Sequence, residues 1–141
     1  MISTPLAAAL RDAGLRWRPA PGDRFVLPGL DLDDEVFTLS EMTIEAHQYA
    51  TGTILGFNGT TEWALDSVAQ EDALWLPSEE QLRGRLGTTF VSLAATAPHH
   101  FAVTTLSSAG LRTTYRADDA SDAYAMALLD LIGRALDGVT A

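Results

Sequence analysis

Four carboxylates within five positions, Asp31, Asp33, Asp34 and Glu35, form the densest charge cluster in the chain. Such oxygen ligands suit Ca²⁺ or Mg²⁺. An EF-hand's spacing is missing: no glycine follows the carboxylates, and no glutamate stands at the twelfth place. Clusters of this kind are most often solvated, so residues 29–35 read as a polar turn. His47, His99 and His100 are the three histidines. His99 and His100 follow Pro98 between two strands, and successive strand positions face opposite ways. Zinc needs three or four convergent ligands, so this pair reads as a surface turn. His47 alternates with Glu45 and Tyr49 at a spacing of two, which puts the three on one strand face. An imidazole beside a carboxylate and a phenol has the equipment for general acid–base chemistry or for holding a small polar ligand. A half-exposed polar strand face is the simpler use. Arg16, Trp17 and Arg18 supply residue types favoured as interface anchors. A core position is the competing use of Trp17.

The missing residue types exclude whole classes of chemistry. The chain has no cysteine, hence no thiol nucleophile, disulfide or thiolate metal site. All nine basic residues are arginine, which removes lysine Schiff-base chemistry and the lysine of a phosphate loop. G-x-S-x-G is absent; Ser67 falls mid-helix on the periodicity and Ser40 at a strand start, neither in a nucleophile's setting. The glycines spread over turns and form no dinucleotide fingerprint. No metal site and no cofactor is expected. A net charge of −10 disfavours phosphate backbones, so nucleic acid is not an expected partner.

The elements that carry these residues follow from pattern. With 141 residues and 47% hydrophobic composition, the chain fits a single α+β domain spanning 1–141. Ser3 or Thr4 caps a first helix with Pro5 at its start, and Gly14 ends it. Arg24–Leu27 and Glu35–Leu39 read as strands. Met42–Tyr49 has period two, and Thr53–Phe57 returns after Thr51-Gly52. The stretch from Ile54 to Pro77 reads as the centre of the fold. It combines a strand end, an Asn58-Gly59 turn, a short helix with Ala64, Leu65 and Val68 inward, and a second entry into the core. Trp63 and Trp75 anchor it. Ser78 and Gln81 form a capping box for a further helix that Gly87 stops. Phe90–Ala95, Phe101–Leu106 and Leu111–Ala117 are strands, the last two joined across Ser107–Gly110. A final helix runs from about Asp119 or Ser121 to Asp137, with Tyr124, Leu128, Leu131, Ile132 and Ala135 inward. Asp118, Asp119 and Asp122 suit its positive end. The sum is an antiparallel sheet system of about six strands in two meanders, packed with N-terminal, central and C-terminal helices.

The segments GLRWRPAPGDRFVLP, DDEVFTLSEMTIEAH, GFNGTTEWALDSV and ALWLPSEEQLRGRLG occur in that order. Together they resemble a family of small acidic actinobacterial proteins that carry the name pilus assembly protein CpaE. The resemblance covers about residues 6 to 86, and DAYAMALLDLI resembles the family again. Pilus ATPases of that name have a phosphate loop, which this lysine-free chain lacks, so no catalytic residue carries over. The resemblance implies a cytoplasmic protein of uncharacterised function, with an accessory link to pilus assembly.

Two expectations follow. One is a non-enzymatic protein-binding or adaptor domain with Arg16, Trp17 and Arg18 at the contact. The other is a small ligand-binding protein or enzyme built around Glu45, His47 and Tyr49. No apolar run reaches the roughly 18–20 residues that cross a bilayer, so no membrane insertion is expected. The N-terminus reads as a capped helix without a signal peptide, consistent with a cytoplasmic location. A homodimer through an edge strand or apolar patch stays open.

Overall fold

The computed structural model describes residues 1–29, 32–39, 45–49, 52–56, 67–69 and 72–140; for 32–34, 45–49, 52–56, 67–69 and 137–140 it describes the backbone alone. The fold is α+β, with all strand pairings antiparallel. The chain, read above as one domain, forms two compact units. One comprises Met1–Leu15 with Pro77–Ala141, the other Arg16–Leu76.

The first unit holds helices α1 (Thr4–Asp12), α2 (Glu79–Leu86) and α3 (Ala120–Thr140) and a three-stranded sheet. Ser3 stands at the N-cap of α1 without a side-chain cap bond, while its backbone N–H donates to Asp122 Oδ1 at 2.7 Å. At the other end Gly14 takes φ +110°. Gly14 N–H donates to Arg11 O and Leu15 N–H to Leu10 O, both at 3.0 Å. This paired arrangement satisfies carbonyls the helix leaves open. For α2, Ser78 Oγ accepts from Gln81 N at 3.2 Å, and Gln81 Oε1 accepts from Ser78 N at 2.9 Å. The expected capping box is therefore present.

Helix α3 organises this unit. It packs on α1, on α2 and on two strands of the sheet. Surrounded on several sides, its N-terminal half is buried beyond a single stripe: Ala123, Tyr124, Ala125, Ala127 and Leu128 are all buried. Alanines permit that close approach. The stripe expected from sequence fails further along, where Leu131 and Ile132 are half-buried and Ala135 is exposed. Phe90 meets Tyr124 with ring centroids 5.7 Å apart.

The second unit contains two small sheets. Strand β1 (Arg24–Leu27) lies between β2 (Leu32–Thr38) and β6 (Leu74–Leu76). Strand β4 (Gly52–Gly56) lies between β3 (Glu45–Tyr49) and β5 (Ser67–Ala69). In the first unit, β8 (His100–Leu106) lies between β7 (Phe90–Ala97) and β9 (Arg112–Ala117). The described strands thus number nine, in three sheets. Two are the short segments β5 and β6, which the sequence did not offer as strands. Two local expectations change. Strand β2 starts at Leu32, so Asp33, Asp34 and Glu35 stand in a strand and not in a turn. Ser67 and Val68, placed in a helix by their periodicity, belong to β5. The Asn58-Gly59 turn, Ala64, Leu65, Trp63 and Ser40 lie outside the described residues.

Candidate functional site

Sheet pairing builds an aromatic cluster in the second unit. Phe25 of β1 is the register partner of Phe37 in β2 and of Trp75 in β6. One row of the sheet is thus aromatic across three strands. Trp17 lies over that row, stacked on Trp75 at 6.5 Å and tilted against Phe25 at 5.5 Å. Each such pair contributes roughly 0.5–1.5 kcal/mol beyond the area it buries.

The connector before β1 fixes Trp17 in place. Asp23 N–H donates to Ala20 O at 3.1 Å, and Gly22 takes φ +90°. Pro21 and Gly22 are the residue types a type II turn requires at its two central positions. That turn aims the Asp23 carboxylate inward, where Oδ2 accepts from Trp17 Nε1 at 2.9 Å and from Ala20 N at 3.0 Å. Trp17 is 9% exposed and Asp23 only 5%. Of the two uses read for Trp17, surface contact and core position, its indole takes the core position. Its ring completes the core of the sheet, and only the flanking Arg16 and Arg18 are exposed. Asp23 was overlooked in the sequence; the A-P-G-D turn before an apolar strand is the signal that marks it.

Trp75 offers a contrast. Its Nε1–H is buried and, among the described residues, has no hydrogen-bond partner. Two indoles thus share one stack, one satisfied by a carboxylate and the other without a described partner.

The three residues of the expected polar site fall on β3, where Glu45 pairs with Gly56, His47 with Ile54 and Tyr49 with Gly52. Their side chains lie outside the described residues. The carboxylates Asp33, Asp34 and Glu35 lie on β2, an edge of its sheet. Among the described residues no group of three or more His, Asp or Glu side chains is placed to hold a metal.

The first unit carries two polar constellations. Tyr115 donates its hydroxyl to Asp130 Oδ2, and Arg134 Nη2 contacts the same oxygen at 3.0 Å. Burial, with the Asp130 carboxylate beside it, holds the Tyr115 hydroxyl above its ordinary pKa. A tyrosine so placed stays protonated and donates; it is no nucleophile or base near neutral pH. At the start of α3, Asp119 Oδ1 accepts from Ser121 N at 2.8 Å and Oδ2 from the Met1 amino group at 2.9 Å. Burial opposes the Asp119 charge, but these donors outweigh it and hold the carboxyl below its ordinary pKa. His100 Nδ1 stands 3.6 Å from Asp118 Oδ1, with both side chains exposed. His99 occupies the tight turn between β7 and β8 with φ +60°, the one described non-glycine residue at positive φ.

Of the β2 carboxylates, Glu35 is the one whose side chain is described, and it is exposed on the sheet that carries the Phe25, Phe37 and Trp75 row. No helix among the described residues is long and apolar enough to cross a membrane. No family model, curated protein or solved structure matches the chain.

Proposed function

We propose that the chain is a non-enzymatic protein-binding domain whose acidic segment, residues 16–76, docks on a basic protein surface. The supporting observation is the uneven charge. Residues 16–76 hold eleven of the nineteen carboxylates and three of the nine arginines, a net −8, leaving −2 for the remainder. A concentrated field of one sign accelerates encounter with an oppositely charged patch and penalises partners of the same sign. Asp33, Asp34 and Glu35 follow one another on β2, an end strand of the order β2-β1-β6, and Glu35 is exposed. The partner's basic groups meet these carboxylates, with the exposed Arg16 and Arg18 of the same unit as further polar contacts. An accessory role in pilus assembly belongs to this proposal through the resemblance of residues 6 to 86.

Affinity capture at low ionic strength tests it, with salt elution and a parallel D33N/D34N/E35Q variant. The expected result is a basic partner that elutes as salt rises and is depleted on the variant. Equal capture by variant and parent, or capture insensitive to salt, sinks the proposal.

A further inference from the structure

Strand β9 ends its sheet, whose order is β7-β8-β9. Helix α3 packs on one face of β9, where Tyr115 reaches it and donates to Asp130. Strand positions on either side of Tyr115 face the other way. Arg112, Thr114 and Arg116 accordingly stand exposed on the face that α3 leaves open. Their register partners in β8 are Leu106, Thr104 and Ala102, none of them charged. The Thr104 and Thr114 hydroxyls lie 3.1 Å apart and bond across the middle of this row.

The described sheets end in β2, β6, β3, β5, β7 and β9. Of these end strands β9 alone carries arginine. The chain has nineteen carboxylates for nine arginines. Yet among the described residues neither Arg112 nor Arg116 has an ion pair, whereas Arg11 contacts Asp12 at 3.1 Å and Arg134 contacts Asp130 at 3.0 Å. Residues 81–117 hold four arginines and no aspartate or glutamate. Asp118, just past the strand, stands 3.6 Å from His100.

We propose that β9 takes an acidic strand of another protein along its outer edge, with carboxylates four positions apart opposite Arg112 and Arg116.

The end strand supplies the backbone donors and acceptors that strand addition uses. Its charge selects the occupant. Antiparallel pairing with a second β9 about Thr114 would set Arg112 against Arg116, and like charges directly opposite are destabilising. Opposite charges in the same positions are stabilising. The two arginines are four positions apart, about 13 Å along the strand. Strand β2 of a second copy does not match that spacing: Asp33 and Glu35, which alternate, are two positions apart, so one arginine would go unmet. A long phosphate backbone is repelled by the chain's net −10, whereas a short acidic strand brings its two charges to the arginines alone. This surface belongs to the unit that lacks β2, so it is separate from the basic partner proposed above.

The test uses a labelled peptide, Thr-Glu-Val-Thr-Val-Glu-Thr, titrated with the full chain from about 1 µM to about 1 mM and read by fluorescence anisotropy. The expected result is saturable binding. Arg112→Glu with Arg116→Glu should weaken it by about tenfold or more, because two favourable cross-strand pairs become two unfavourable ones. Arg83→Glu with Arg85→Glu on α2 makes the same change in net charge and should bind as the parent does. Circular dichroism verifies that both variants fold. Two further peptides, methylated on alternate backbone amides of one edge or of the other, keep the charge and block pairing on that edge. With the parent chain, at least one of them should fail to bind. Absence of binding up to about 1 mM overturns the proposal. Equal loss in the α2 variant overturns it too, and so does full binding of both methylated peptides, which would leave charge attraction without strand addition. An oligothymidylate that binds more tightly than the peptide would assign the arginines to phosphate, which also overturns it. The acidic-segment reading is untouched by any of these failures, because its own test substitutes only β2.

Discussion

At the scale of single residues, the two stacked indoles make opposite use of their N–H groups. Trp17 donates to the buried Asp23 carboxylate, and Trp75 has no described partner. Trp17→Phe removes one of the donors to a buried carboxylate, whereas Trp75→Phe deletes an N–H with no described partner. The first should therefore cost about 1.5–3 kcal/mol more than the second, the worth of a hydrogen bond to a carboxylate that keeps Ala20 N–H as a donor. Urea unfolding of both variants measures the difference, and equal losses would show that ring volume alone decides. Tyr115 supplies a pH prediction. Its folded pKa is raised, so its contribution is complete below the unfolded value and is lost as pH climbs through the folded one. Stability should fall on the alkaline side of the ordinary tyrosine pKa. Tyr115→Phe should remove that part of the decline while lowering stability at neutral pH by about 1 kcal/mol. Melting curves from neutral to alkaline pH settle it; an unchanged alkaline limb in the variant contradicts this role.

At the scale of elements, local chemistry was legible and tertiary choice was not. The Ser78–Gln81 box and the Gly14 and Gly87 stops are decided within a few residues, so composition reveals them. The β8–β9 pairing likewise follows from two alternating runs around a glycine-bearing loop. Strands β5 and β6 are three residues each, too short for a period of two to show. Val68 matched a helical spacing with Ala64 and Leu65, but sheet pairing with Leu55 takes it. The Trp17–Asp23 bond joins a loop to a turn, and no periodicity encodes such a contact. That β9 is an end strand depends on strand order, which the strand's own composition does not specify. Helix propensity offers a direct check on α2 and α3. Gly84 and Gly133 lie within them, and a Cβ at either position meets nothing within 4 Å. Gly84→Ala and Gly133→Ala should each stabilise by roughly 0.5–1 kcal/mol through lower chain entropy in the unfolded state. Thermal melts check this, and a loss of stability at either site would mean that the added methyl meets something there.

At the scale of the whole molecule, charge is unevenly divided along the chain: residues 16–76 carry −8 of the net −10. In the proposed complex a basic partner meets that segment, and salt screens such an attraction. The screening length shortens from about 30 Å at 0.01 M to about 8 Å at 0.15 M, enough to remove most interaction between charges remote from the contact. Raising ionic strength over that range should therefore raise the dissociation constant for the captured partner. The D33N/D34N/E35Q variant has three fewer charges to screen, so its constant should start higher and rise less. Titrations of both proteins against the captured partner at the two ionic strengths measure this; equal salt dependence of parent and variant contradicts a contact through β2.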